Sequence, residues 1–234
     1  VTSDPVPNED SQVAELDEGN LFALSRFPGE DAREDGWRGA VALTYGMAVP
    51  DRWSGHVTLG RLYRAEADAR LSPGTGLDGT VSDYLFRAGL DLGEGIQLDA
   101  RALFDESMAF SRSEARLSWE SARLALAATY TELDEAPGEG RSDAVAEWTV
   151  DGAVRVTPVW TVSGEARYDL NANEPQSAGL GLEYRNECIR VGLQVSRRFT
   201  SSVTLEQETD YGLSVALDGF SAGDGQAPRR SCRN

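Results

Sequence analysis

The sequence predicts an all-β fold: an antiparallel transmembrane β-barrel, present as the C-terminal portion of a larger barrel with about eleven strands in this chain. Three observations predict it. Eleven segments of roughly ten residues alternate apolar and polar side chains, which is the length a tilted strand needs to cross a bilayer. Charged residues occupy the centres of the polar faces, and aromatic residues stand near the ends of the apolar faces.

The candidate strands cover residues 37–220. In chain order they are 37–48, 54–64, 82–92, 96–105, 111–120, 122–132, 144–156, 159–170, 177–186, 188–198 and 210–220. Residues 1–36 form an acidic polar loop before them, and residues 221–234 form a flexible polar C-terminal tail.

The alternation is clearest in the strands 96–105 and 159–170. In the first, Ile96 and Leu98 alternate with Gln97 and Asp99. Successive side chains of a strand point to opposite faces, so this pattern gives one apolar and one polar face. Charged side chains at the middle of a strand are typical of a water-filled barrel interior.

The connections favour the same architecture. Gly93-Glu94-Gly95, Glu120-Ser121 and Asn186-Glu187 are tight, whereas 65–81 and 133–143 are long and polar. Membrane barrels have short turns on one side and longer loops on the other. One connection, 199–209, is long where we expect a short turn.

Composition excludes several other classes of protein. The 22 basic against 39 acidic residues give a net charge of −17, which makes nucleic acid an unfavourable partner. No run approaches the roughly 20 apolar residues of a membrane-spanning helix. The first residues have neither the basic nor the apolar region of a signal peptide. Bacterial single-chain barrels have even strand numbers, so an odd count of eleven predicts either one further strand within this chain or a chain that is the C-terminal part of a larger barrel. The polar acidic start of the chain favours the second alternative.

A soluble β-sandwich is the main structural alternative, since its strands alternate as well. The strands here are longer than the five or six residues usual in soluble sheets. Their apolar faces also end in aromatic residues, as expected at a membrane interface. These residues are Trp37, Tyr45, Trp53, Trp119, Tyr130, Trp148, Trp160, Tyr168 and Tyr184.

The last candidate strand carries a pattern found in the closing strands of bacterial outer-membrane barrels. The pattern is a polar residue, a glycine two positions later, an apolar residue three positions after the glycine and a second apolar residue two positions further on. Here Asp210, Gly212, Val215 and Leu217 form it. We interpret these four residues as a barrel-assembly signal.

Three segments resemble a known family. They are residues 7–36, residues 59–64 (Leu-Gly-Arg-Leu-Tyr-Arg) and residues 183–192 followed by 197–200. They resemble the lipopolysaccharide-assembly outer-membrane protein family LptD, most closely its alphaproteobacterial form. Arg61 stands where that family usually has glutamine.

The resemblance implies a non-enzymatic machine of the cell outer membrane, without a cofactor. Proteins of this family insert lipopolysaccharide (LPS) into the outer leaflet through a lateral seam beside the last strand. The seam strand would then include Tyr211, Leu213, Gly219 and Phe220. The implied partners are LPS, an LptE-type plug lipoprotein, the barrel-assembly machinery, and periplasmic LPS bridge proteins that bind an N-terminal domain absent from this chain.

The two cysteines, Cys188 and Cys232, suit an oxidising compartment. The resemblance implies that a cysteine at position 188 pairs with one in the periplasmic domain of the intact protein. Two alternatives stay open, in which the two cysteines pair with each other or both are free.

Other functions rest on weaker patterns. A small general porin or structural barrel is the alternative if the chain closes alone. An outer-membrane barrel hydrolase is a further alternative, because His56 lies near Ser54 and Asp51, although no nucleophile turn accompanies them. We expect a plain polar role for His56 and no catalytic residue.

Acidic pairs are the remaining candidates for chemistry. They are Glu9-Asp10, Asp17-Glu18, Glu30-Asp31 and Glu34-Asp35. Carboxylates suit Ca²⁺ or Mg²⁺, but no EF-hand spacing is present. We therefore expect solvated loop charges and no metal site.

Overall fold

A computed structural model describes residues 16–27, 33–137, 140–200 and 207–217. Within these ranges the chain forms eleven strands and one 3₁₀ turn, Pro73–Thr75. The strands are β1 (Arg38–Val49), β2 (Trp53–Arg64), β3 (Tyr84–Asp91), β4 (Ile96–Phe104), β5 (Phe110–Glu120), β6 (Leu124–Leu133), β7 (Val145–Arg155), β8 (Trp160–Asp169), β9 (Glu174–Arg185), β10 (Ile189–Arg198) and β11 (Glu208–Leu217).

The strands form one sheet in the order of the sequence, from β1 to β11. This confirms the predicted all-β antiparallel fold and its eleven strands. Strand boundaries differ from the prediction by at most three residues. The largest difference at a strand start is in β9, which begins at Glu174 because a register shift at Arg167/Tyr168 lets its first residues pair with the end of β8. Asp218, Gly219 and Phe220 lie outside the described residues.

The chain divides into two compact units. The first unit contains residues 1–117 and 129–146, and the second contains residues 118–128 and 147–234. Strands β1 to β4 lie in the first unit and β8 to β11 in the second, whereas β5, β6 and β7 contribute residues to both.

In the first unit, cross-strand pairing keeps like residues on one face. Leu43 of β1 is opposite Leu59 of β2, which is opposite Phe86 of β3, and all three belong to the apolar face. On the other face, Thr44 is opposite Thr58, and their hydroxyl oxygens are 2.9 Å apart. Because directly opposite residues share a face, one apolar strand sets the orientation of its neighbour.

In the second unit, one row of apolar residues crosses five strands. It runs from Val154 on β7 through Val162, Leu182 and Leu193 to Leu213 on β11. These side chains are 37 to 69% exposed, although all are large and apolar. Contiguous exposed apolar surface marks a contact with lipid or protein, and along a membrane strand it faces lipid.

The adjoining row, on the opposite face of the second unit, consists of small or polar residues. It runs from Ala153 through Ser163, Gly181 and Gln194 to Gly212. The two faces therefore differ in chemistry at successive positions of each strand, as the alternation predicted.

Connection lengths follow strand direction. Each connection from an odd to an even strand has three or four residues, whereas connections from even to odd strands have between four and nineteen. We name these two sides the turn end and the loop end. The connection 199–207 follows β10 and belongs to the loop end, so the expectation of a short turn there was wrong. No helix in the described part of the chain is long and apolar enough to span a membrane.

The two faces lead to a first prediction. Replacing Leu193 on the apolar face by arginine places a charge in hydrocarbon, whereas the adjacent replacement Gln194→Arg places it on the polar face. We expect Leu193→Arg to lower the free energy of unfolding in lipid vesicles by about 2–4 kcal/mol. Urea titration of the folded protein in vesicles measures it.

Gln194→Arg is the matched control for this substitution, and we expect it to change the unfolding free energy by less than about 1 kcal/mol. Equal losses in the two variants would contradict the assignment of the faces.

Candidate functional site

An apolar cluster lies where the sequence predicted a polar loop. Residues 16–27, here called the strap, bury Leu16, Leu21 and Phe27 against Leu62 of β2 and Leu85 of β3. Leu71, Leu77 and Leu103 complete the cluster. Leu62 and Leu85 belong to the otherwise polar face of the first unit and lie near its loop end, so the strap covers that end of the face.

The signal for this cluster is present in the sequence. Near the loop ends of β3 and β4, apolar residues occupy consecutive positions, as in Tyr84-Leu85-Phe86 and Ala102-Leu103-Phe104. A strand segment that is apolar on both faces is covered on both faces. The alternating residues alone predict an uncovered polar face here, so the cover was not predicted.

Gly60 allows the strap to approach β2 closely. Gly60 lies next to Leu62 on the covered face, and a Cβ atom there would be 2.6 Å from Cδ2 of Leu21. Leu21 thus occupies the space that any other residue at position 60 would fill. Leu21 is 2% exposed, and Ala42 on β1 packs against the same apolar cluster.

A buried ion pair closes the strap. Arg26 Nε is 3.1 Å from Glu34 Oε1, and their side chains are 1% and 2% exposed. The backbone N–H of Arg26 also donates to Oε1 (3.0 Å), and Arg38 Nη1 donates to the Glu34 carbonyl oxygen (2.8 Å). Burial lowers the pKa of Arg26, which Glu34 partly offsets. Removing one partner of a buried pair leaves an uncompensated charge, so the strap depends on both.

Arg64 adds a second buried cation at the end of β2. Its Nη2 donates to the carbonyl oxygen of Leu77 (2.5 Å), which ties the 65–83 connection to the sheet. Its Nε and Nη1 are buried without a hydrogen-bond partner.

Most of the described acidic pairs near the strap have partners within the protein. Asp17 Oδ1 accepts the N–H of Asn20 (2.8 Å), Glu18 forms an ion pair with Arg87, and Glu34 holds Arg26. Glu9-Asp10 and Glu30-Asp31 lie outside the described residues. The expectation of solvated charge was therefore wrong for Glu18 and Glu34. Among the residues that the structure describes, no group of three or more metal-binding side chains could hold an ion.

Further charges on the polar faces are paired across strands. In the first unit Arg101 Nη2 contacts Glu114 Oε2 (2.9 Å). In the second unit Arg167 makes a two-pronged contact with Glu147, Nε to Oε2 at 2.8 Å and Nη2 to Oε1 at 2.6 Å. Two-pronged arginine–carboxylate contacts are the strongest of this kind.

Arg61, the departure from the family pattern, links β2 to its neighbours at the loop end. Its Nε donates to Ser82 O (2.9 Å), Nη1 to Tyr84 Oη (2.9 Å) and Nη2 to Glu106 Oε1 (2.8 Å). The guanidinium carbon lies 4.1 Å from the centre of the Tyr84 ring. The position therefore has a structural role in this chain.

The terminal strand contains the residues of the predicted signal and seam. On β11, Asp210 is opposite Ser196 and Gly212 is opposite Gln194, on the polar face. Tyr211, Leu213, Val215 and Leu217 lie on the apolar face and are exposed. Every residue of β11 is exposed, on both faces, and the sheet order ends with this strand.

Cys188 lies in the turn between β9 and β10, at the turn end. Asn186 Oδ1 accepts the N–H groups of Cys188 (2.9 Å) and Ile189 (2.8 Å), which fixes the turn. Cys188 is not a free thiol in the structure. Cys232 lies outside the described residues, so the pairing of each cysteine stays a prediction.

The predicted hydrolase residues do not form a catalytic arrangement in the described structure. His56 lies on the polar face above Gly89, where a Cβ would be 2.4 Å from its Cε1. Ser54 is two positions away along β2, opposite Asp91, and Asp51 is in the turn before it. No hydrogen bond among the described residues joins these side chains, so packing over Gly89 accounts for the position of His56.

Comparisons with known proteins add two sequence findings. Residues 1–145 match the family described as LptD, LPS transport system D. The LPS-assembly protein LptD of Pectobacterium atrosepticum is 22% identical over 247 residues, which covers 96% of this chain. The chain spans 31% of the length of that relative.

The similar solved structures include a Rhodopseudomonas blastica porin triple mutant and the Escherichia coli outer membrane phospholipase A. The porin is 12% identical, with 80% of this chain and 81% of the porin covered and a TM-score of 0.43. The phospholipase is 12% identical, with 81% and 83% covered and a TM-score of 0.35.

The buried ion pair leads to a second prediction. Glu34→Gln keeps the shape of the side chain but leaves Arg26 buried without a counter-charge, which we expect to cost about 3 kcal/mol. The effect falls on the strap, so hydrogen exchange at Leu21 and Phe27 accelerates by about a hundredfold. Mass spectrometry of the exchanging amides measures it.

Glu114→Gln is the control, because its partner Arg101 is half exposed and the pair contributes at most about 1 kcal/mol. Unchanged exchange in the strap of Glu34→Gln would show that the pair does not hold it.

Two aspartates at the loop end predict opposite pH dependences. Burial raises the pKa of Asp83, which Asp78 and Asp105 also raise and a hydrogen bond from Ser111 lowers. Its contribution to stability is therefore present below the unfolded pKa and is lost as pH rises through the folded pKa. Asp83→Asn removes this loss, so we expect the variant to gain stability relative to the parent between pH 4 and 7.

Asp105 is the matched comparison, because a hydrogen bond from Ser107 and backbone N–H groups lower its pKa. Its contribution is present above the unfolded pKa and is lost on acidification, so Asp105→Asn loses stability at pH 7. Unfolding midpoints of both variants at pH 4 and 7 measure the signs, and equal signs would refute this assignment.

Proposed function

This chain belongs to the LptD family, LPS transport system D, and from that premise we propose that it forms the C-terminal part of an outer-membrane barrel that inserts LPS into the outer leaflet. In this proposal the apolar faces contact lipid and the polar faces line the barrel interior. LPS leaves through a lateral seam between β11 and the first strand of the intact barrel. The match to 31% of the length of the relative supports a chain that is one part of a larger barrel.

Two features of β11 support the proposed seam, its single neighbour and its exposure. The strand has one neighbour in the sheet order, β10, and exposed residues on both faces. The unpaired edge of a strand presents N–H and C=O groups that lipid cannot satisfy. In the proposal, a strand of the intact protein pairs with that edge and supplies the other half of the seam.

The connection lengths support an orientation. Membrane barrels place short turns in the periplasm and longer loops outside the cell. We therefore assign the turn end, with Cys188, to the periplasm and the loop end, with the strap, to the cell surface. In this orientation the proposal pairs Cys188 with a cysteine in the periplasmic part of the intact protein.

The partners follow from the same proposal. Periplasmic LPS bridge proteins deliver the lipid through the N-terminal part of the intact protein, and an LptE-type lipoprotein occupies the interior beside the polar faces. The barrel-assembly machinery recognises the β11 signal of Asp210, Gly212, Val215 and Leu217. The family is a transport system and not an enzyme family, so His56 has no catalytic role here. An alphaproteobacterial origin stays a prediction.

Cross-linking tests the seam. In the intact protein, Gly212→Cys on β11 is paired with a cysteine in the first barrel strand. We expect the locked seam to abolish delivery of LPS to the cell surface and a reductant to restore it. Surface LPS is measured by antibody labelling of intact cells.

The control cross-link joins Gly212→Cys to Gln194→Cys, which are directly opposite on β11 and β10. It locks a pair of strands that the proposal keeps together, so delivery is retained. Delivery through a locked seam would overturn the lateral route.

A second test asks whether the chain closes by itself. We expect the 234-residue chain, refolded in detergent, to show no heat-modifiable band on SDS gels. A compact, fast-migrating unheated band would show a closed barrel and favour a small porin-like protein.

A further inference from the structure

We propose that a groove on the apolar face of the first unit binds one acyl chain of a zwitterionic phospholipid. The groove, here called the acyl groove, is formed by Trp53, Gly55, Ala88, Leu90 and Ala100. The site rests on the proposed function in two respects, because there the apolar face contacts lipid and the turn end faces the periplasm. A phospholipid held at this place is a ligand distinct from the transported LPS.

Three small residues form the floor of the acyl groove. Gly55 of β2 lies between Met47 of β1 and Leu90 of β3. One row further from the turn end, Ala88 of β3 is opposite Ala100 of β4. Because these positions carry a hydrogen atom or a methyl group among larger side chains, a cavity of about 360 Å³ opens on the apolar face.

Larger side chains form the walls beside Gly55. A Cβ atom at that position would be 3.3 Å from Cδ1 of Leu90 and 3.7 Å from Cζ3 of Trp53. Tyr45 lines the groove as well, and His56, which also borders it, has its side chain on the opposite face. The lining is therefore apolar, and it suits a hydrocarbon chain and not a polar group.

Filling the groove is favourable for a single chain. The surrounding hydrocarbon is as apolar as the groove, so apolar burial alone gives no preference for the site. An unfilled gap, however, loses the dispersion contacts of the atoms that line it. The volume of the groove lies at the lower end of the range of small-molecule sites, about 300–1,000 Å³. A chain that fills the gap therefore gains packing contacts that the surrounding lipid lacks.

Charges of both signs lie at the turn end, next to the groove. Asp51 and Arg52 belong to the turn that leads into Trp53, and Glu94 belongs to the turn between β3 and β4. The two turns touch, since a Cβ atom at Gly93 would be 2.8 Å from the carbonyl oxygen of Arg52. All three charged residues are exposed, and no hydrogen bond or ion pair with a described residue engages their side chains.

This arrangement of charge matches a zwitterionic headgroup. The guanidinium of Arg52 suits the phosphate, because its fork binds two oxygens at once. The carboxylates of Asp51 and Glu94 suit the amine, whereas a purely anionic headgroup would meet two negative charges beside one positive charge. Tryptophan rings near a membrane interface lie at the level of the headgroups. Trp53 therefore marks the depth at which the headgroup meets the turns and its chain enters the groove.

Brominated lipids test the site, because bromine quenches the fluorescence of a tryptophan that it contacts. The intact protein is reconstituted into phosphatidylglycerol vesicles with an increasing fraction of phosphatidylethanolamine that carries brominated acyl chains. The difference between the parent and Trp53→Phe gives the quenching at Trp53. We expect this lipid to occupy the site about tenfold more strongly than the surrounding lipid does, because charge-assisted contacts favour it.

Trp160 is the matched control. It lies at the turn end on the apolar face of the second unit and is 39% exposed. The difference between the parent and Trp160→Phe gives its quenching, which we expect to follow the mole fraction of the brominated lipid. The same simple dependence at Trp53 would overturn the site.

Filling the groove with protein gives a second test. Ala88→Leu/Ala100→Leu keeps the face apolar but occupies the space of the chain, so we expect the preference at Trp53 to disappear. Ala166→Leu is the control, since it enlarges a small residue on the apolar face of the second unit, opposite Val150. Heat-modifiability on SDS gels verifies folding. A filled groove with the parent's preference would refute the proposal.

Arg52→Gln tests the headgroup contact and stays informative if the filled variant does not fold, because Arg52 is exposed in a turn. We expect it to weaken the preference severalfold. Arg123→Gln removes the arginine of another turn, 121–123, and leaves the preference unchanged. Equal preferences in the two arginine variants would contradict a headgroup bound by Arg52.

Two further lipids identify the ligand. Brominated phosphatidylglycerol in the same vesicles is the anionic comparison, and stronger quenching of Trp53 by it than by the ethanolamine lipid would overturn the zwitterionic headgroup. Unlabelled LPS is then added to the vesicles. Relief of the quenching would assign the groove to the acyl chains of LPS and overturn its assignment to a phospholipid, whereas undiminished quenching supports that assignment.

The results also separate this site from the proposed function. An intact protein that shows the preference at Trp53 but does not deliver LPS to the cell surface would refute the proposed function alone. Normal delivery, together with a Trp53 that senses only random lipid contact, would overturn the acyl groove alone.

Discussion

The hydrogen-bonding needs of the backbone govern this structure. Lipid offers no partner to an N–H or C=O group, so each membrane-crossing strand has to satisfy its backbone through neighbouring strands. The antiparallel ladder from β1 to β11 follows from this constraint. Because directly opposite residues share a face, the ladder also turns the alternation within each strand into continuous apolar and polar surfaces, such as the row from Val154 to Leu213. Among the described residues, β11 ends the sheet order with β10 as its neighbour.

The loop end of the first unit follows a different rule, because there the polar face is covered by protein. Leu62 and Leu85 exclude water together with Leu21 of the strap, and Gly60 provides the space. Each fully buried leucine contributes about 1.5–3 kcal/mol of transfer free energy. That gain offsets the cost of burying charges, which the protein limits by pairing Arg26 with Glu34.

Strand register places the charges on the polar face of the second unit. Arg167 makes two contacts with Glu147, and Arg198 is in register with Glu208, whereas Arg185 is in register with Arg190. Strand β11 ends the sheet order and is exposed on both faces, and the proposed seam rests on these two features.

The sequence alone determined the strands and their faces, because period-two alternation over about ten residues is a local property that pairing then reproduces. The eleven strands and the position of the closing segment were predictable from it. Tertiary structure decided what covers each face. Leu85 and Leu103 interrupt the polar alternation, but only the fold brings Leu21 and Phe27 from a distant segment onto them. Likewise, Glu34 reads as loop charge in sequence and becomes the buried partner of Arg26 only through folding. Arg123 and Arg155, too, become cross-strand neighbours only through strand register, because they are far apart in sequence.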